Sequence, residues 1–433
     1  MKKRMLCVVV LAMLSGGVFA QFNFSGGAYT GVGIVAQDDN VPSSTDGPAP
    51  YYVMSSQTHA PYRAFLNGDY TNADQTMGFS VALQAAPPSG NPNYATTEEP
   101  LYVPFSTAAG WAKLFDLLTV RGGYNVANPA FGFGRDSYMI ARAGSGDDTD
   151  QQSTAIEPGV VAVLTPFEGF SFGGSLKPTP RSRDAAYEAG ITYTVPRLAT
   201  FTATWLRDTR ESATTGRGSS PDGITALTLG LRSVGIPNLN FAIAAKLDKL
   251  HDFKDTGTVL LVDYIYYTRG NVRIGFDTNQ QILMPEKATT GAGTFDGEPF
   301  SFLVQPYVTY NFGKVSPRLD LAYIHNGTVY GATLWTYDIG SLTNVKGDYA
   351  FVIQPSVSYR PTSGFTINAG YKFSYSKSDQ ITGNNRTLSL VYVDFVYRFV
   401  ATGGSSSSGG NPNYPGGGGN PNFPGGGGNP NYR

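Results

Sequence analysis

The sequence predicts an all-β fold, a transmembrane antiparallel up-and-down β-barrel of about eighteen strands, with sixteen as the alternative count. Three observations predict it. The first is period-two alternation over segments of ten or more residues, the length a tilted strand needs to cross a bilayer. Across Thr387–Phe399, Ser389, Val391, Val393, Phe395, Tyr397 and Phe399 share one face, opposite Leu388, Leu390, Tyr392, Asp394, Val396 and Arg398. The preceding segment sets Phe365, Ile367, Ala369, Tyr371, Phe373 and Tyr375 against Thr366, Asn368, Gly370, Lys372 and Ser374. A dry core does not accept Lys372 and Asn368 on an inward face, so that face must meet water and the apolar one lipid. The second observation is composition: only 15% of residues are charged, against about 25% in soluble domains, and there are 27 Tyr and 26 Phe. The third is that after the N-terminal segment no apolar run reaches the roughly 18 residues of a transmembrane helix, so strands must do the crossing.

Taken in order, Met1–Ala20 reads as a secretory signal peptide, with basic Lys2, Lys3 and Arg4, an apolar run Met5–Leu14, and a small-residue cleavage site before Gln21. The one cysteine, Cys7, lies within it, so the mature chain is expected to hold no thiol, and the position of Cys7 does not fit a lipid anchor. Losing three of the 31 basic residues leaves 28 against 32 acidic ones, a net charge of about −4. That balance argues against nucleic acid as a partner.

Residues 21–400 supply the barrel, with strands expected at 22–36, 60–70, 76–85, 101–114, 117–125, 156–165, 169–177, 186–195, 199–207, 223–233, 238–247, 257–267, 271–279, 300–311, 315–325, 348–360, 364–377 and 387–399. The connections alternate between short and long, as in bacterial outer-membrane barrels. Phe302–Tyr310 matches Phe351–Tyr359, each with a mid-strand proline, Pro306 or Pro355, on the lipid face. Both prolines predict a bulge or bend, because proline removes a ladder donor. Hairpin duplication and coincidence in a biased composition explain the similarity equally well. Residues 401–433 are Gly/Asn/Pro-rich, cannot bury a core, and read as a disordered periplasmic tail that acts as a spacer or presents aromatic side chains to a periplasmic partner.

Nothing in the motifs points to catalysis. His59, His251 and His325 have no serine or metal-ligand spacing around them, and Asp147-Asp148-Thr149-Asp150 lacks the twelve-residue calcium-loop pattern. Catalytic residues, metal sites and cofactors are therefore not expected. The chemistry-bearing positions are the inward charges Arg121, Glu188, Arg232, Lys246, Asp263, Arg273, Asp277, Arg318, Asp320, Arg360, Lys372, Asp394 and Arg398. Eight bases against five acids along a wet lumen favour anions mildly. Alternatively, such pairs only brace the wall.

The signal, the alternating strands, the short-turn and long-loop asymmetry and the aromatic final strand ending at Phe399 together resemble a bacterial general-type porin. Trp111–Asp116 before Leu117–Tyr124, and Thr165–Phe170, are similar to periplasmic hairpins of spirochaete outer-membrane barrels. The resemblance implies a passive pore for small hydrophilic solutes in the outer membrane, with lipid and the barrel assembly machinery as partners; general porins are often homo-oligomers. It also implies that the long connection 125–154 folds into the lumen as a constriction bearing Arg135, Asp136, Arg142, Asp147, Asp148 and Asp150. The other expectation is a plugged barrel whose extracellular loops serve as an adhesin or binding module. The tail after Phe399 departs from the porin pattern.

Overall fold

A computed structural model of the chain describes residues 21–39, 51–53, 63–85, 105–124, 158–178, 185–209, 224–284, 287–290, 293–296, 300–326, 349–377 and 385–403. The expected signal peptide, the connection 125–154 and the chain beyond Gly403 lie outside the described residues.

Nineteen strands share one sheet, and one of these, Tyr51–Val53, is only a three-residue addition to the first strand, which leaves eighteen in the wall. They are β1 (Gln21–Asp39), β2 (Arg63–Thr71), β3 (Met77–Ala85), β4 (Phe105–Leu114), β5 (Leu118–Tyr124), β6 (Pro158–Phe167), β7 (Phe170–Pro178), β8 (Ala185–Val195) and β9 (Ala199–Asp208). The second half comprises β10 (Ile224–Ser233), β11 (Leu239–Asp248), β12 (Thr258–Arg269), β13 (Val272–Leu283), β14 (Phe300–Tyr310), β15 (Val315–His325), β16 (Tyr349–Thr362), β17 (Phe365–Lys377) and β18 (Asn385–Gly403). Every strand pairs antiparallel with its sequence neighbour. β1 pairs with both β2 and β18, which closes the barrel. Closure pairs the ladder all the way round, which a strand in lipid requires because no water is there to bond an open edge. The closing strand runs three residues past the expected boundary at 400, with Ala401, Thr402 and Gly403 opposite Phe24, Asn23 and Phe22.

Both chain ends of the barrel lie on the side of the short turns. In the three-residue connection between β4 and β5, Phe115 and Asp116 both adopt left-handed φ, 55° and 57°, as the central pair of a tight turn in which Leu117 N–H donates to Leu114 O at 3.2 Å. The opposite end carries the long connections, the longest spanning 125–157.

Exposure separates the faces. Ile274, Phe276, Val391, Phe395, Tyr397 and Phe399 point outward and are exposed, whereas Asp277, Tyr392 and Asp394 point inward and are buried. Outward aromatics gather in two bands. Phe22, Phe24, Tyr70 and Phe79 form one near the short turns, with ring centroids 5.2–5.9 Å apart. Phe302, Tyr323, Phe351, Tyr349 and Tyr375 form the other near the long connections. Two such girdles around an apolar belt are where amphipathic rings meet the two bilayer interfaces.

The prolines do not produce the expected bulges. Pro306 and Pro355 face outward, and each simply interrupts one ladder while the register continues: β14–β15 lacks pairs at Gln305 and Pro306, and β16–β17 lacks them at Gln354 and Pro355. The missing N–H removes hydrogen bonds locally, and the intact pairing on the other side of each strand holds the alignment. The register shift in β16 lies instead between Tyr359 and Thr362, at the turn.

Candidate functional site: the inner wall

Residues directly opposite in an antiparallel ladder share a face, so the register carries the inside of the barrel from strand to strand. Starting from buried Asp394, the inner rows pass through Asn368, Ser358, Ser316 and onward round the wall. They place Arg121, Glu188, Arg232, Lys246, Arg273, Asp277, Arg318, Asp320, Lys372 and Arg398 on the inner face with Asp394, while Arg360 lies past the last regular pair of β16, its backbone N–H donating to Lys314 O at 2.8 Å.

The densest cluster lies on β12–β18. Arg318 Nη2 is 2.5 Å from Asp320 Oδ1, and its Nε donates to both carboxylate oxygens at 2.9 and 2.8 Å. Gln305 Nε2 donates to the same carboxylate at 2.9 Å. The Arg318 guanidinium also stands 4.1 Å from the Tyr307 ring centroid, and Arg273 stands 4.7 Å from Tyr266, both within cation–π range. Asp320 is opposite Gln354, whose amide donates to the Tyr392 hydroxyl at 3.0 Å. The repeated Gln-Pro segments therefore flank β15 on both sides, with Gln305 bonded to its central acid and Gln354 standing opposite that acid in the ladder.

Three inner rings owe their position to glycines. Tyr307 is opposite Gly275, Tyr392 opposite Gly370, and Trp111 opposite Gly78. A Cβ added at Gly370 would sit 2.5 Å from the Tyr392 hydroxyl, one at Gly78 would sit 2.7 Å from Trp111 Nε1, and one at Gly275 would collide with the Tyr307 ring. Each ring thus lies across the bare backbone of the neighbouring strand, along the wall.

The remaining wall is milder. β8–β10 present Thr192, Thr194, Thr200, Thr202, Thr204 and Thr228 on the inner face, with Thr194 and Thr200 bonded at 3.0 Å. Glu188 accepts from Ser175 at 2.9 Å, and Lys246 pairs with Asp248 at 3.3 Å. Sequence reading missed Lys177, Asp208 and Asp69 on this face; Asp69 accepts from Ser80 at 2.6 Å. Continuing the alternation from Glu188 through the short turn after Val195 would have located Asp208.

Asp263 is a correction. The register sets it opposite exposed Ile243 on β11 and Thr278 on β13, in line with exposed Ile265 and Tyr267, so it faces outward. Both faces of β12 are largely apolar or aromatic, so an acid was the natural choice for the inside. Instead Tyr264 and Tyr266 take the inner face. Arg135, Asp136, Arg142, Asp147, Asp148 and Asp150 lie outside the described residues, as does His59. His325 points outward, 5.1 Å from the Phe302 ring.

No protein-family model matches the chain, and no curated protein matches it. Solved structures do: OccK1 (OpdK) of Pseudomonas aeruginosa superposes with a TM-score of 0.51 at 9% identity, over 88% of this chain and 99% of that one. The same protein with vanillate gives a TM-score of 0.51, 9% identity and the same coverage of 88% and 99%. Its fold is that of the bacterial outer-membrane porin barrels. OccK11 (OpdR) of the same organism is also similar, at 11% identity and a TM-score of 0.48 over 88% of this chain and 96% of that one. The porin-barrel architecture accounts for the aromatic girdles, the short-turn end and the charged interior together.

Proposed function

We propose that the chain is an outer-membrane porin, a water-filled channel through which small hydrophilic solutes diffuse passively, embedded in outer-membrane lipid. One observation carries this reading: a closed barrel has an apolar outside and an inside furnished on most strands with hydroxyls, amides and ion pairs, which water can solvate. The bases and acids of the inner wall would set charge preference, and residues 125–154 would narrow the passage. Refolded protein in liposomes tests the reading. Swelling in isotonic sugar solutions should decline with sugar size, and liposomes that carry folded protein yet do not swell would refute it.

A second reading, a plugged barrel that displays its long connections as a surface-binding module, is favoured by the near-complete burial of Gln305, Asp394 and Tyr392 at 0%, 0% and 1% exposure. Absence of swelling together with specific binding to host-surface molecules would select it.

A further inference from the structure

The outer wall of β12 and β13 carries a polar seam in the middle of its lipid belt. Along β12 the outward residues are Val259, Leu261, Asp263, Ile265 and Tyr267; along β13 they are Ile274, Phe276, Thr278, Gln280 and Ile282. Asp263 and Thr278 are opposite each other at the centre of both series, with the Thr278 hydroxyl donating to Asp263 Oδ2 at 2.5 Å and Gln280 Nε2 3.5 Å from that hydroxyl. The result is a directional line: amide donor, hydroxyl, carboxylate. An ionised carboxylate can accept about four hydrogen bonds, and lipid tails offer none. An ionisable group at this depth is retained when it has a partner.

We propose that this seam is the contact face for a second copy of the chain. Two barrels in one membrane share their orientation, so a two-fold axis relating them must lie along the membrane normal. Passing that axis between β12 and β13 sets β12 of each copy against β13 of the other. Each Asp263 then comes within reach of the second amide N–H of the partner copy's Gln280, while each Thr278 hydroxyl, only 4% exposed, keeps its bond to its own Asp263. Ile243, Ile265 and Phe276, all exposed beside the seam, supply the apolar packing around it. The contact does not depend on whether the lumen conducts.

The test uses the chain with Cys7→Ser, which removes its single cysteine, reconstituted in lipid bilayers. Ile265→Cys, one rung from Asp263 and close to the axis, should form a disulfide-linked dimer on mild oxidation, whereas Val160→Cys on the outer face of β6 should not. Adding Asp263→Leu or Gln280→Leu should abolish the Ile265→Cys dimer while heat-modifiable gel mobility shows that the barrel is still folded. Equal cross-linking at both cysteines, none at either, or a dimer that survives both leucine variants would overturn the proposal. So would monomers that retain a phospholipid lost in the Asp263→Leu variant, which would make the seam a lipid site.

Discussion

On β8–β10 the inner wall carries six threonines, Thr192, Thr194, Thr200, Thr202, Thr204 and Thr228, beside Glu188, Asp208 and Arg232, whereas the inner face of β13–β18 is dominated by Arg273, Asp277, Arg318, Asp320, Lys372 and Asp394. The two regions meet one requirement by different means. Threonine suits a strand through its β-branch, and its hydroxyl is content with a neighbour or with water. The ionic wall depends on interlocking partners, since an arginine deprived of its acid leaves an uncompensated charge. The threonine wall should therefore tolerate substitution, and the ionic wall should not.

The largest effect should come from Asp320→Leu. It strips Arg318 of its bidentate partner and Gln305 of its acceptor, and removing one member of a buried pair costs about 3–5 kcal/mol. Equilibrium unfolding in liposomes would measure it. The counterpart, Thr202→Val, should cost less than about 1 kcal/mol. Equal costs would end the distinction between the walls.

Gly275→Ala should come next, at about 1–3 kcal/mol of overpacking, because the new methyl displaces the Tyr307 ring from the wall. Single-channel conductance should fall, and the further change Tyr307→Ala should restore it. A conductance unaffected by Gly275→Ala would mean that the ring is not held by the glycine.

The smallest effect belongs to the C-terminus. Truncation after Gly403 should leave folding unchanged, since the pairs of β18 with β1 end there. Truncation after Val400 removes three pairs and should lower the yield of heat-modifiable barrel slightly. Identical yields would show that the last rungs contribute nothing.

How far such positions could be read in advance follows from the alternation. β17 and β18 place polar residues on one face and aromatics on the other, so their register and their inward charges were legible residue by residue. β12 reads Thr-Val-Leu-Leu-Val-Asp-Tyr-Ile-Tyr-Tyr-Thr-Arg, without contrast between its faces. A single acid there decided the assignment, and a one-residue shift moves every side chain to the other side. The cross-strand glycine–aromatic pairs were illegible for another reason, because they depend on which residues the closed ladder brings opposite one another. The same holds for the Gln305–Asp320 bond, whose partners lie on separate strands.

Single-channel recording of refolded protein in planar bilayers under a potassium chloride gradient tests the account most directly. The account predicts discrete conductance steps, a reversal potential that moves toward anion selectivity in Asp320→Asn, and no movement in Thr202→Val. Folded, membrane-inserted protein that gives no steps, or a reversal potential indifferent to Asp320, would contradict it.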